Sequence, residues 1–332
     1  MTAESFVLEV RSAVDARLDA LLADAEANAR RAGEEPLAIA MALSSLVRRG
    51  GKRLRPALLT ATAIACGRTI DRTVVDAGCA WELLQAYFLV HDDWMDGDTT
   101  RRGGPTAHVT LAARHGDAHL GASLAVLAGD LGSALAHRVI AESDAPVEAL
   151  VTFARVHEDV VLGQALDLTL SAHDLAAVER MHALKTASYT TRGPVAMGAL
   201  LAGASSDTRA QLDAFATPLG IAFQLRDDLL GAFGSEAETG KPVGSDLRSG
   251  KRTALIAEAL ARTDDRGALE RSLAEGNVPV AMAAIEKCGA RVAVESRAST
   301  LLGEARRALD AAPIRDKSLL HALATALVER RV

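Results

Sequence analysis

Cysteine is scarce in this chain, and none of its three thiols (Cys66, Cys79, Cys288) falls in a spacing such as C-x-x-C. That argues against a disulfide framework or a zinc ribbon and suits a reducing compartment, so a cytoplasmic protein is expected. Aromatic residues make up only 3% of the sequence. The net charge is −6, without the positive excess that general nucleic-acid or anionic-membrane binding needs, so basic residues that matter must act locally. No uncharged apolar run reaches the roughly 18 residues that span a bilayer, which gives an expectation of no membrane span. The stretch from Leu120 to Leu135 comes nearest, and Asp130 interrupts it. The first residues, MTAESFVLEVRSAVDARLDALL, lack the charged-then-apolar layout of a secretion signal. Alternating strands, repeats of 20–50 residues and linkers rich in Pro or Ser are missing as well.

What is present is helix. The chain has 332 residues, 49% of them hydrophobic, and alanine and leucine, both strong helix formers, dominate. Val7, Val10, Val14, Leu18 and Leu21 recur at helical spacing. Glycine and proline mark breaks near Gly33–Pro36, Gly50–Pro56, Gly97–Pro105, Asp144–Pro146, Gly203–Asp207, Gly231–Gly250 and Asn277–Pro279. Between them lie segments of helix length, so we expect ten or more helices in a single all-α domain over residues 1–332.

Two acidic clusters, each followed by basic residues, carry the chemistry. The first reads His91-Asp92-Asp93-Trp94-Met95-Asp96, then Arg101-Arg102-Gly103. On a helix over 82–96, Asp92 and Asp96 share one face, separated by roughly 6 Å of rise. Both could then reach metal ions on one diphosphate, while Asp93 points about 100° away and supports them. Magnesium suits such a site, because it takes one or two carboxylates plus phosphate oxygens. A solvated helix end would explain a lone DDxxD. Here the preceding Leu83, Leu84, Tyr87, Phe88 and Val90 imply a buried helix, and carboxylates at its C-terminal end oppose both desolvation and the helix dipole. Bound cations would relieve that conflict.

The second cluster, Asp227-Asp228, follows another apolar helix and precedes a glycine-rich loop with Lys241, Lys251 and Arg252. Gln224, one turn earlier, could orient water or face a developing cation. A third basic group, Gly50-Gly51-Lys52-Arg53-Leu54-Arg55-Pro56, places three cations within four residues, like a preorganised anion clamp.

Taken together, these strings resemble the trans-isoprenyl diphosphate synthases, the polyprenyl synthetase family, over roughly residues 45–255. The matching motifs are GGKRLRP at 50–56, HDDWMD at 91–96, TRRGGPTAH at 100–108, GQALDL at 163–168, KTASYT at 185–190 and FQLRDDLLGAFG…TGKP…D…GKRT at 223–253. The resemblance implies an all-α, isoprenoid-synthase-type bundle of about ten core helices around a central cavity, acting as a homodimer. It implies condensation of isopentenyl diphosphate with an allylic diphosphate, assisted by Mg²⁺ (three ions per active site), with release of pyrophosphate. By motif, Asp92, Asp96 and Asp227 would ligate the metal, supported by Asp93 and Asp228. Arg101, Lys185, Lys241 and Lys251 would hold the allylic diphosphate, with Gln164 and Asp167 nearby. Lys52, Gln85, Arg55 and Arg102 would hold the isopentenyl diphosphate. Lys185, Thr186 and Gln224 would face the carbocation.

Two positions depart from the pattern: Gln85 stands where many members carry His, and Gly231 replaces a final Asp in DDLLG. Tyr87 and Phe88, five and four residues before Asp92, resemble the floor that stops growth at fifteen carbons in farnesyl diphosphate synthases, with a C20 product as the alternative. The C-terminal Glu329-Arg330-Arg331-Val332 also resembles tails that close over the homoallylic site. A class I terpene cyclase would need no second diphosphate clamp, and a silent regulatory subunit would have lost an acidic cluster.

Overall fold

The computed structural model describes residues 2–170, 175–234, 243–248, 251 and 253–329. The fold is all-α, and its contacts fall into two compact units: residues 1–152 with 197–204, and residues 153–196 with 205–332.

The first unit begins with α1 (Ala3–Ala32), capped by Thr2, whose hydroxyl accepts from the Ser5 amide at 3.2 Å. The apolar stripe read from the sequence is its inner face: Val10, Val14, Leu18 and Leu21 are buried, joined by Phe6. Next come α2 (Glu34–Arg48), α3 (Leu54–Ala65) and α4 (Arg72–Met95). Pro56 lies inside the first turn of α3, where its missing N–H costs nothing, so the break falls just before Leu54. The unit continues with α5 (Ala107–His115) and α6 (Ala118–Glu142), which packs along α4 and α5. By length and composition α6 could cross a membrane, but 44% of its most apolar window is buried against these helices.

One short hairpin departs from the all-helix expectation. Thr100–Arg101 pairs antiparallel with Gly104–Pro105 across a two-residue turn at Arg102 and Gly103. Both turn residues have positive φ (53° and 72°), as a type I′ turn requires.

α7 (Val147–Thr169) leads into the second unit. There α8 (Leu175–His182), a π-helical stretch (Ala183–Arg192) and α9 (Gly193–Leu201) follow one another directly. The end of α9 belongs to the first unit. The long α10 (Ser206–Phe233) packs on the π-helical stretch and on the helix Ala290–Ala311. It runs past Gly231, so the break expected there starts only at Gly234. Among the remaining elements are a four-residue helix, Ser245–Arg248, and helices Ala254–Arg262 and Ser318–Val328.

Candidate active site

In the first unit, α4 ends on the acidic cluster. Asp96 caps the helix, its amide donating to the Asp92 carbonyl at 2.8 Å, so Asp92 and Asp96 stand one turn apart as expected. Both are half-buried, whereas Asp93 is fully buried. The Arg101 Nε donates to Asp93 at 2.7 Å, and its Nη2 bridges to Asp98 at 2.9 Å. Burial pushes the Asp93 carboxyl up to about 6; Arg101 pulls against this, and the negative charges of Asp98 and Asp92 add to it. Burial also works against the charge on Arg101, but Asp93 and Asp98 more than offset it and leave its affinity for the proton raised.

The donor set fits a divalent cation. Two half-buried carboxylates sit one turn apart at the negative end of a helix, and a buried third carboxyl is pushed toward protonation beside them.

Beside them lies the basic group. Arg102 donates to the Leu46 carbonyl at 3.3 Å, and its guanidinium packs over Gly51. Burial first, then the positive charges of Arg53, Arg55 and Arg101, lower its proton affinity, opposed by Glu82. Crowded, partly desolvated cations that weaken one another in this way favour a polyanion. One part of the expected clamp is corrected. Arg53 turns inward, 4% exposed, and donates to Asp15 at 2.7 Å, to Glu82 at 2.5 Å and to the Val47 carbonyl at 3.1 Å. It braces the fold, leaving an exposed Lys52 and a buried Arg55 on either side. Arg53 and Arg102 are the two described non-glycine residues with positive φ, so both basic motifs hold a left-handed arginine. Gln85, Tyr87 and Phe88 are half-buried on α4.

In the second unit, Gln164 and Asp167 lie three residues apart on α7, and Asp167 receives Lys185 Nζ at 2.5 Å. Lys185 and Thr186 belong to the π-helical stretch, an irregularity that frequently marks functional sites. Gly163 makes this close approach possible, because a Cβ there would overlap the Lys185 backbone. On α10, Asp227 is half-buried and Asp228 buried. Asp228 accepts from Gln224 Nε2 at 2.9 Å and from the Ala254 amide at 2.9 Å, while His182 Nε2 lies 3.8 Å away. Asp228 therefore ties α10 to the start of the helix Ala254–Arg262, and Gln224 holds it through Nε2. Lys251 is half-buried, and its amide donates to the Asp246 carbonyl at 3.0 Å. Gly240, Lys241 and Arg252 lie outside the described residues, as do Arg330, Arg331 and Val332; Glu329 pairs with Arg306 at 2.9 Å.

Sequence reasoning placed Arg53 in the clamp and missed Asp98 and His182, because the partner that gives each its role is set by folding and no motif announces it.

Two core helices of this all-α chain, α4 and α10, thus carry paired aspartates near their C-terminal ends, the first of them beside a cluster of arginines. The sequence profile of the polyprenyl synthetase family matches residues 37–288. The chain is 39% identical over 220 residues to a geranylgeranyl diphosphate synthase of Sulfolobus acidocaldarius, covering 64% of this chain and 63% of that one. It is 36% identical over 270 residues to a farnesyl diphosphate synthase of Geobacillus stearothermophilus, covering 76% and 83%. Among solved structures, a geranylgeranyl pyrophosphate synthase from Corynebacterium glutamicum, complexed with isoprenyl diphosphate and magnesium, superposes with a TM-score of 0.90 at 34% identity over 100% of both chains. The chain belongs to the polyprenyl synthetase family, a family of prenyltransferases.

Proposed function

We propose that this chain condenses isopentenyl diphosphate with dimethylallyl and geranyl diphosphates and releases farnesyl diphosphate and pyrophosphate. The observation that carries the reading is the end of α4: Asp92 and Asp96 one turn apart, Asp93 locked to Arg101, and the buried Arg55 and half-buried Arg102 beside them.

In this reading Asp92, Asp96 and Asp227 hold Mg²⁺, with Asp93 and Asp228 supporting them. When bound, Mg²⁺ neutralises charge on the diphosphate leaving group. Arg101, Lys185, Lys241 and Lys251 add positive charge around the same group as its C–O bond ionises. Lys52, Gln85, Arg55 and Arg102 hold the second diphosphate, which turns a bimolecular encounter into an oriented one. The π-helical backbone at Lys185 and Thr186, with Gln224, presents dipoles to the allylic carbocation in a water-poor pocket. The Asp167–Lys185 pair and the Gln224–Asp228 hydrogen bond support this, since each fixes a polar group that must not move during ionisation. Exposed Val161, Leu162, Leu166 and Leu168 on α7 support a homodimer, for which an apolar helix face is suited.

Tyr87 and Phe88 favour a C15 product. A C20 product is the second reading, favoured by relatives named as geranylgeranyl diphosphate synthases. The test is incubation with Mg²⁺, isopentenyl diphosphate and dimethylallyl diphosphate, then chromatography of the dephosphorylated alcohols. Farnesol supports both reaction and floor; geranylgeraniol keeps the reaction and moves the floor. No product refutes the enzymatic reading.

A further inference from the structure

α4 and α6 approach closely around His91. The imidazole donates from Nε2 to the Val126 carbonyl at 2.9 Å, and the same nitrogen lies 3.8 Å from Asp130. Beneath the ring is Gly129, where a Cβ would overlap imidazole atoms Nε2 and Cδ2, so His91 rests directly on the α6 backbone. On its other side the imidazole meets Tyr87 edge to face, with ring centroids 4.7 Å apart at 65°. Tyr87 in turn tilts against Phe88, centroids 4.9 Å apart.

On the α6 side, Gly132 faces the Tyr87 Cβ. One brace for the ring comes from the neighbouring turn of α4 itself. His91 is anchored at one edge by a backbone carbonyl and is only 17% exposed, so it is a fixed wall for the phenol ring. An edge-to-face contact of this kind shifts a ring's rotamer equilibrium by roughly twofold to tenfold.

We propose that His91 is a specificity-determining positioning residue, which holds the Tyr87 ring in place and thereby sets how far a growing prenyl chain extends. The inference rests on the proposed floor of Tyr87 and Phe88. It assigns His91 no contact with substrate; its effect passes through Tyr87.

The experiment compares alcohols made from isopentenyl and dimethylallyl diphosphates by wild type, His91→Ala, His91→Gln, Tyr87→Ala and His91→Ala/Tyr87→Ala. The Gln variant keeps a donor for Val126 and loses the ring, so it carries the test should the Ala variant fail to fold. The ratio of C20 to C15 product should rise roughly fivefold in both single His91 variants, and His91→Ala should add less than about twofold in the Tyr87→Ala background. The midpoint of Mg²⁺ activation should stay unchanged, which separates this effect from a disturbance of Asp92. If Tyr87→Ala lengthens the product while both His91 variants leave the ratio unchanged, the positioning role is overturned and the floor stands. An equal effect of His91→Ala in both backgrounds also overturns it, because His91 would then act without Tyr87. Unchanged length in Tyr87→Ala overturns the role of Tyr87 in the floor itself.

Discussion

Gly231 and Asp246 share one space: the Asp246 carboxylate lies where a Cβ of residue 231 would stand. The sequence puts glycine where the family pattern ends its second cluster in Asp. In the fold an acidic group does reach that point of α10, from the short helix Ser245–Arg248. The departure at 231 and the acid at 246 are thus one feature.

Gly231→Ala should force the Asp246 side chain away and destabilise the protein by about 1–3 kcal/mol, the usual cost of overpacking. Thermal or urea unfolding measures it. The penalty should shrink when Asp246→Ala is present, because the two sites are coupled through direct overlap. Additive losses would show that the shared space is not the cause.

Arg53 and Glu82 form an ion pair with side chains 3% and 2% exposed. Arg53→Ala leaves Glu82 a buried charge without its cation and should cost about 3–5 kcal/mol. Adding Glu82→Gln removes the stranded charge and should recover part of that loss. Urea midpoints that match wild type in Arg53→Ala would return Arg53 to the anion clamp.

The helices, the α1 stripe and the two aspartate ends were legible in the sequence because periodicity and local spacing encode them directly. Asp92 and Asp96 needed only a helix to become one turn apart. Arg53 was misread because its neighbours Lys52 and Arg55 share its charge, and only the left-handed backbone at 53 turns it toward Asp15 and Glu82, partners 38 and 29 residues away. The positive φ of Arg102 was hidden for a similar reason: hairpin turns favour Asn or Gly there, so an arginine gives no turn signal. The close approach of α7 to the backbone at Lys185 depends on Gly163, a long-range condition that no local pattern announces.

Asp93 gives a pH prediction. Its carboxyl is raised from 3.8 to about 6 by burial, so the fold favours the protonated form. For an acid shifted upward, the stabilising contribution is complete below pH about 4 and is lost as pH rises through about 6. A shift of this size corresponds to about 3 kcal/mol. In EDTA, the wild-type melting temperature should therefore fall more steeply between pH 4 and 6 than that of Asp93→Asn. Parallel curves would mean that Arg101 keeps Asp93 ionised throughout.

The depth of the product pocket gives the last prediction. Phe88 and Tyr87 lie four and five residues before Asp92, about 6 and 7.5 Å back along α4. A chain whose diphosphate is held at Asp92 and Asp96 and whose tail runs back along α4 meets these rings before anything deeper. They differ in support. Tyr87 is wedged between His91 and the glycine face of α6, whereas Phe88 leans on Tyr87 from one residue further along the helix. Truncating Phe88 alone leaves the braced Tyr87 ring in place, so Phe88→Ala should lengthen product less than Tyr87→Ala does. The double variant removes both rings and should shift most product from farnesol to geranylgeraniol and longer alcohols, read by chromatography after dephosphorylation. Because neither ring carries charge, the Mg²⁺ dependence should not move with the product. Unchanged length in the double variant would mean that the growing chain leaves α4 before reaching residue 88.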